Sequence, residues 1–210
     1  MKKYKLTNET KEYYKRTLYR IEALKDFSDV RKGEKGGWIE KEENLSQDGD
    51  CWVYGDAEVY GDAEVYGDAE VSDNAMVSDN AYVSDNAMVY GDARVSGNAR
   101  VYGDARVSGN AMVYGNAWVY GDAEVYGDAE VYGDARVSGN AWVYKQKLIG
   151  GYFYHTKQKS EKIESVETYD DGYETLCREP KLDIEPEEKS LKGKEVEVKL
   201  DGKVYRAIIQ

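Results

Sequence analysis

From Val53 to Trp142 the chain repeats one six-residue unit fifteen times without a slip. Each unit reads Val, Tyr or Ser, Gly or Asp, Asp or Asn, Ala, and then one variable residue. Starting from Ala, the four residues Ala, variable, Val and Tyr/Ser alternate, so Ala and Val share one side of an extended segment and the other two share the opposite side. The Gly-Asp, Gly-Asn and Asp-Asn pairs that follow tolerate positive φ and bond to their own backbone, which suits a sharp corner. Apolar positions two and four apart do not make a helical stripe, and Gly or Asp in every turn would penalise a helix. An open meander of four-residue strands would bury too little.

Three hexads per turn solve the burial problem. An 18-residue triangular coil stacked at the strand spacing of about 4.8 Å pairs its backbone with the coils above and below and fills a narrow interior with Val and Ala. The expected architecture is therefore all-β, a parallel β-helix with three strands per coil. Upstream the register is weaker, with Cys51, Leu45 and Ile39 assigned to the alanine position, and the helix is expected to begin near Trp38.

The pattern resembles the hexapeptide repeat of left-handed parallel β-helices, where an aliphatic residue recurs every six positions with a small residue two before it, as in Ala57/Val59, Ala93/Val95 and Ala123/Val125. Left-handedness is an implication of that resemblance. The stretch from Leu18 to Ala57, LYRIEALKDFSDVRKGEKGGWIEKEENLSQDGDCWVYGDA, further resembles the start of YdcK-like hexapeptide proteins, common in enterobacteria and in phages or prophages. That resemblance implies architecture and a bacterial or phage setting, and little chemistry.

The flanks complete the plan. Solenoid ends expose strand edges and core, so residues 1–37 are expected to form an N-terminal cap, followed by the β-helix over 38–144. Residues 145–210 are expected to form a small β-rich C-terminal domain, with hairpins at Asp170-Asp171-Gly172 and Asp201-Gly202 and a charged, proline-containing linker around 178–190.

Charge is uneven along the chain. The formal net charge is −12, and residues 53–142 carry all of it, with 11 Asp and 5 Glu against 4 Arg. An acidic protein of this kind is not expected to bind nucleic acid directly. Stacking sets residue n over n+18, so Asp56, Asp62, Asp68, Asp92, Asp104, Asp122, Asp128 and Asp134 fall on corner columns as acidic edges. Turn chemistry alone would select such residues. A DNA-mimicking rod for a basic partner is the sharper alternative.

One flat face collects Tyr66, Tyr82, Arg100, Tyr102, Trp118, Tyr120 and Arg136, with Glu64, Ser84 and Ser138. Tyr82, Arg100, Trp118 and Arg136 follow one another in successive coils, a spacing that permits cation–π contact. This is the expected face for a protein partner or for self-association; proteins of this architecture often form trimers, which the resemblance extends to this chain. Cross-strand stiffening of the rod is the plainer reading. A second face, with Tyr60, Met76, Met112, Tyr114 and Tyr132, is also rather apolar.

Catalysis is not expected. Many hexapeptide β-helices are acyltransferases that use a histidine base near a protruding loop, and the resemblance makes His155, the single histidine, the runner-up catalytic residue. The hexads leave no room for such a loop, and a general base needs an orienting partner that the sequence does not identify. The related γ-class carbonic anhydrases need three histidine ligands. Cys51 and Cys177 form no CxxC, and no GxGxxG, P-loop or GxSxG occurs, so no metal and no cofactor are expected. No apolar run approaches the roughly 20 residues of a membrane span, and MKKYKLTNETKEYYK lacks the apolar stretch of a signal peptide. The expectation is a cytoplasmic, non-catalytic binding or scaffold protein with no membrane association, an acyltransferase or a structural polymer being the alternatives.

Overall fold

The computed structural model describes residues 2–155, 195–200 and 203–208. Over the hexads, each variable residue and the following Val lie in a strand of two to four residues, Glu58–Val59 and Glu64–Val65 being the first to lie wholly within the repeat and Arg136–Gly139 the longest. These short strands stack in parallel with residue n beside n+18, as in Glu58 beside Met76 and Val59 beside Val77. Three sheets result. The first face runs through Glu58, Met76, Arg94, Met112 and Glu130; the second through Glu64, Tyr82, Arg100, Trp118 and Arg136; the third through Glu70, Met88, Arg106 and Glu124. The protein is an all-β parallel solenoid.

The interior is what the alternation requires. Val59 to Val137 and Ala57 to Ala135 at the repeat positions have no exposed surface. Burial of a valine side chain contributes about 1.5–3 kcal/mol before entropy is counted. The backbone is bonded between coils: the amides of Glu58, Tyr60 and Asp62 donate to the carbonyls of Ala75, Val77 and Asp79 at 2.9, 3.0 and 2.6 Å, and the same pattern recurs upward. The carbonyls of the Ala, Val and first-corner positions therefore look back towards the preceding coil.

The first corner residue always takes positive φ, for example Gly61 at 71° and Gly97 at 68°. In the coil where the sequence has Ser-Asp-Asn, this place falls to Asp73, Asp79 and Asp85, with φ of 61°, 60° and 59°. Each of these carboxylates accepts a hydrogen bond from the amide of the glycine one coil above, Gly91, Gly97 and Gly103, at 2.9, 3.1 and 3.0 Å. That bond offsets the strain of a left-handed non-glycine residue.

The first coil departs from the sequence reading. Cys51 does sit at the alanine position, but Ile39 pairs with Val59 and Leu45 with Val65, which makes both valine equivalents. Two extra residues between Leu45 and Trp52 shift the register, since Trp52 and Val53 are back at the 18-residue offset from Glu70 and Val71. Ahead of it lie β1 (Tyr4–Tyr13), β2 (Arg16–Ala23) and β3 (Lys35–Ile39), where β1 and β2 pair antiparallel, β2 continues antiparallel to β3, and β3 joins the first face beside Glu58–Val59.

The open end of the first coil is closed by donors from β1 and the residue before it. Lys3 is fully buried, and its Nζ donates to the carbonyls of Cys51 (2.9 Å), Gly49 (3.3 Å) and Asp48 (3.4 Å). The Tyr4 hydroxyl lies 2.7 Å from the Leu45 carbonyl and 2.9 Å from that of Glu42. Tyr4 and Phe27 pack edge-on against the buried Trp52.

Beyond Tyr144, where the hexads end, the stack continues with Lys147–Leu148 beside Glu130–Val131 and with Tyr152–His155 beside Arg136–Gly139. The hairpin expected at Asp201-Gly202 is present as Glu195–Leu200 paired antiparallel with Lys203–Ile208. The hairpin expected at Asp170-Asp171-Gly172, the linker around 178–190 and Cys177 lie outside the described residues.

Candidate functional site

The second face brings its named residues together. Two outward columns run up it, the variable residues Glu64, Tyr82, Arg100, Trp118 and Arg136, and two residues further along each strand Tyr66, Ser84, Tyr102, Tyr120 and Ser138. In the first column aromatic rings and guanidinium groups alternate. Arg100 lies 5.5 Å from the Tyr82 ring centroid and 5.1 Å from that of Trp118, and Arg136 lies 4.4 Å from Trp118 and 5.1 Å from Tyr152. Tyr152 extends the ladder by a rung that the sequence did not reveal, because it stands sixteen residues after Arg136 instead of eighteen. Exposed cation–π contacts contribute about 0.5–1 kcal/mol each.

In the second column Tyr102 and Tyr120 stack with centroids 5.0 Å apart and planes 2° from parallel, and Trp118 meets Tyr102 edge-on at 6.3 Å. Burial, and then the neighbouring Tyr120 hydroxyl, push the Tyr102 hydroxyl above its ordinary range. Ser84 and Ser138 are buried among their neighbours, while Tyr66 beside Ser84 is 41% exposed. Tyr66, Tyr82, Ser84, Arg100, Tyr102 and Trp118 line a shallow groove.

The other faces carry the cap. On the first face Lys11 pairs with Glu58 at 2.7 Å, the Tyr13 ring packs on Tyr60 at 5.4 Å, and the Tyr13 hydroxyl reaches Met76 Sδ at 3.6 Å. On the third face the Tyr54 hydroxyl donates to Asp29 at 2.6 Å, and Trp52 is sealed under Phe27 and Tyr4. The first-face residues Tyr60 and Met76, two of the five residues of the alternative apolar patch, are thus engaged by the chain's own N-terminus. Met112, Tyr114 and Tyr132 lie higher on that face, with Tyr114 and Tyr132 stacked at 4.8 Å.

Most of the acidic corners are bonded within the rod. Asn74 donates to Asp92 at 3.0 Å, Asn86 to Asp104 at 2.9 Å and Asn110 to Asp128 at 2.9 Å. One column is a continuous amide ladder, Asn80 to Asn98 to Asn116 to Asp134, at 3.1, 3.0 and 3.0 Å. Asp68 accepts the Asp50 amide at 3.0 Å, Asp56 faces Arg20 at 3.3 Å, and Lys41, 2.6 Å away, holds the Asp62 carboxyl below its usual range. Among the described residues Asp122 is the acidic corner that receives no such bond.

The His155 backbone pairs with Gly139 at the last strand of the second face, and its side chain lies outside the described residues. Among the described residues no group of three or more His, Cys, Asp or Glu could hold a metal ion. The buried Cys51 thiol is pushed up by burial, which makes it a poor nucleophile. No helix among the described residues is long and apolar enough to cross a membrane.

The stacked hexads match the model of the YdcK beta solenoid repeat at residues 81–97, 93–107, 105–121 and 129–145. Residues 81–121 and 129–145 are YdcK β-solenoid repeats. A curated relative from Escherichia coli (strain K12), the uncharacterized acetyltransferase YdcK, is 42% identical over 62 residues, which is 26% of this chain and 19% of that relative. The match therefore spans about a fifth of the relative's length.

Proposed function

We propose that the chain acts by binding protein, as a non-catalytic scaffold of a phage or prophage setting, with the second face of its acidic rod as the contact surface. The observation that carries this reading is the unbroken Tyr82–Arg100–Trp118–Arg136–Tyr152 ladder on the face to which the cap adds no cover. Aromatic and arginine side chains dominate the energetics of protein interfaces, because they bury much area while keeping a polar handle. A nucleic-acid mimic would present an unbroken row of carboxylates, whereas here neutral asparagines interrupt the corner columns, Asn74 beside Asp92, Asn86 beside Asp104, Asn110 beside Asp128 and the run Asn80, Asn98 and Asn116 below Asp134. That favours the face over the corners as the working surface.

The test is Trp118→Ala, compared with the unchanged protein by light-scattering mass and by the proteins it retains from a bacterial lysate at low and high salt. The fold should survive and association should weaken. If the mass and the retained proteins are both unaltered, the face is not the contact surface. Acyl transfer is the second reading, favoured by the name of the Escherichia coli relative. It predicts acetyl transfer that is lost in His155→Ala, while the binding reading predicts unchanged association in that variant.

A further inference from the structure

The two arginines of the second face are held in place but not neutralised. Arg100 stands between the rings of Tyr82 and Trp118, and Arg136 between those of Trp118 and Tyr152. A ring face attracts the cation but takes up few of the five N–H donors of a guanidinium. Among the described residues neither arginine is paired with a carboxylate. By contrast, Arg106 on the third face has Glu124 at 3.6 Å, and Arg16 and Arg20 in the cap have Glu40 and Asp56 at 2.7 and 3.3 Å. Arg94 on the first face has no carboxylate either, but its strand neighbours are Met76 and Met112 and not rings.

Charge around the arginine column is uneven. From Tyr82 to Arg136 the column itself carries no acid. The corner that precedes its strands holds the exposed ladder Asn80, Asn98 and Asn116, and each of these amides has a second N–H beyond the one that the ladder uses. Asp79 and Asp134 end that corner below and above, and they accept bonds from the Gly97 amide and from Asn116. Asp85, Asp104 and Asp122 belong to the opposite corner, past the tyrosine column. The arginine column and the asparagine ladder together make a strip of hydrogen-bond donors on an otherwise acidic rod.

The spacing of the strip selects the shape of an acceptor. Arg100 and Arg136 are two coils apart, about 9.6 Å. In a β-strand, residues i and i+2 share a side but lie only about 6.6 Å apart, and residue i+3 points the other way. In a polyproline II segment, with three residues per turn and about 3.1 Å per residue, the side chains at i and i+3 share a side about 9.3 Å apart. Two carboxylates so placed reach both guanidiniums, each as a charge-assisted pair. The rings that line the groove beside Arg100 are the kind of surface on which proline rings pack. A nucleic acid would bring charge at every residue and meet the acidic corners, whereas a segment with one carboxylate in three places its charge at the arginines alone.

We propose that the second face is a docking strip for an acidic polyproline II segment of a partner protein, with carboxylates three residues apart seated on Arg100 and Arg136 and prolines against the neighbouring rings. This rests on the reading that the face binds protein, and it names the chemistry of the partner.

The probe is a fluorescent peptide of about three Glu-Pro-Pro repeats, titrated against the full chain and read by polarisation at low and high salt. The peptide should bind, and salt should weaken it. Arg100→Ala and Arg136→Ala should each weaken it about tenfold. Asn98→Asp, which uses a residue the hexads already place at corners, should weaken it as well. Arg94→Ala, in the same coil but on another face, should leave it unchanged. Arg100→Glu combined with Arg136→Glu should lose the peptide and gain its Lys-Pro-Pro counterpart. The proposal is overturned if the unchanged protein does not bind the peptide, if Glu-Pro repeats bind equally well, or if single-stranded DNA binds more tightly. If Trp118→Ala weakens association of the protein while the Glu-Pro-Pro peptide fails to bind, the face still binds protein and the acidic segment is the wrong partner.

Discussion

The middle coils and the first coil meet the same backbone with different means. In the middle, each coil's back-facing carbonyls receive amides from the coil before, and the same few residue types suffice fifteen times over. The first coil has no coil before it, so its carbonyls at the alanine, valine and corner positions, Cys51, Leu45 and Gly49, must find donors elsewhere. They are supplied by Lys3 and Tyr4, from a segment with no repeat at all. Repetition satisfies a solenoid's interior, and its ends need individual chemistry.

That contrast can be broken from either side. Val95→Asp, in the middle, buries a charge without a partner and should cost more than about 4 kcal/mol, leaving the rod unfolded by circular dichroism. A soluble, folded variant would contradict the inward assignment. Lys3→Met, at the end, keeps the bulk but strands several carbonyls, and should lower stability by about 1–3 kcal/mol in urea titration. A loss confined to protection of β1 and the first coil in hydrogen exchange would show that the plug acts locally.

Alkali should also act on the cap first. Burial pushes the Tyr60 hydroxyl up to about 12, and it drives Tyr4 and Tyr54 upward as well. For a phenol whose folded value is raised, the stabilisation is complete below the ordinary value near 10 and is lost as pH rises through the folded value. The part of the tyrosinate absorbance that Tyr4→Phe, Tyr54→Phe and Tyr60→Phe remove should therefore rise only above the ordinary value and together with loss of the cap; if that part rises at the ordinary value, the packing of these three rings is contradicted. At a corner, Asp79→Ala removes a bond to Gly97 and leaves a left-handed alanine, for about 1–2 kcal/mol, whereas Asp79→Gly should be nearly neutral. Trp118→Ala removes two cation–π contacts and one edge-on ring contact and should lower stability by about 1–2 kcal/mol without unfolding the rod, whatever it does to association.

The hexads made the coils legible because period, small residue and corner chemistry all point to one geometry, and the columns of the second face follow by counting eighteen. Counting failed where the period does. Counting back by six puts Ile39 and Leu45 at alanine positions because the two extra residues before Trp52 carry no periodic mark, and counting forward by eighteen passes over Tyr152 because the chain drops residues after Tyr144. Lys3 as a plug was invisible: a lysine near a chain start reads as solvated, and only the third dimension brings it under Cys51. The Ser-Asp-Asn coil, unexplained as sequence, is accounted for by bonds that join residues eighteen apart.

Because every coil adds one strand spacing, the rod is a ruler graduated in steps of about 4.8 Å. A gene duplication that inserted one coil between Glu64 and Arg136 would leave core, corners and sheets unbroken and the protein stable. It would nevertheless set the Glu64 end and the Arg136 end of the second face one step, about 4.8 Å, further apart. Length in such a molecule is therefore an inherited measure of how far apart two points on its surface are held, and a chain longer by a single coil would fold as well as this one while spacing them differently.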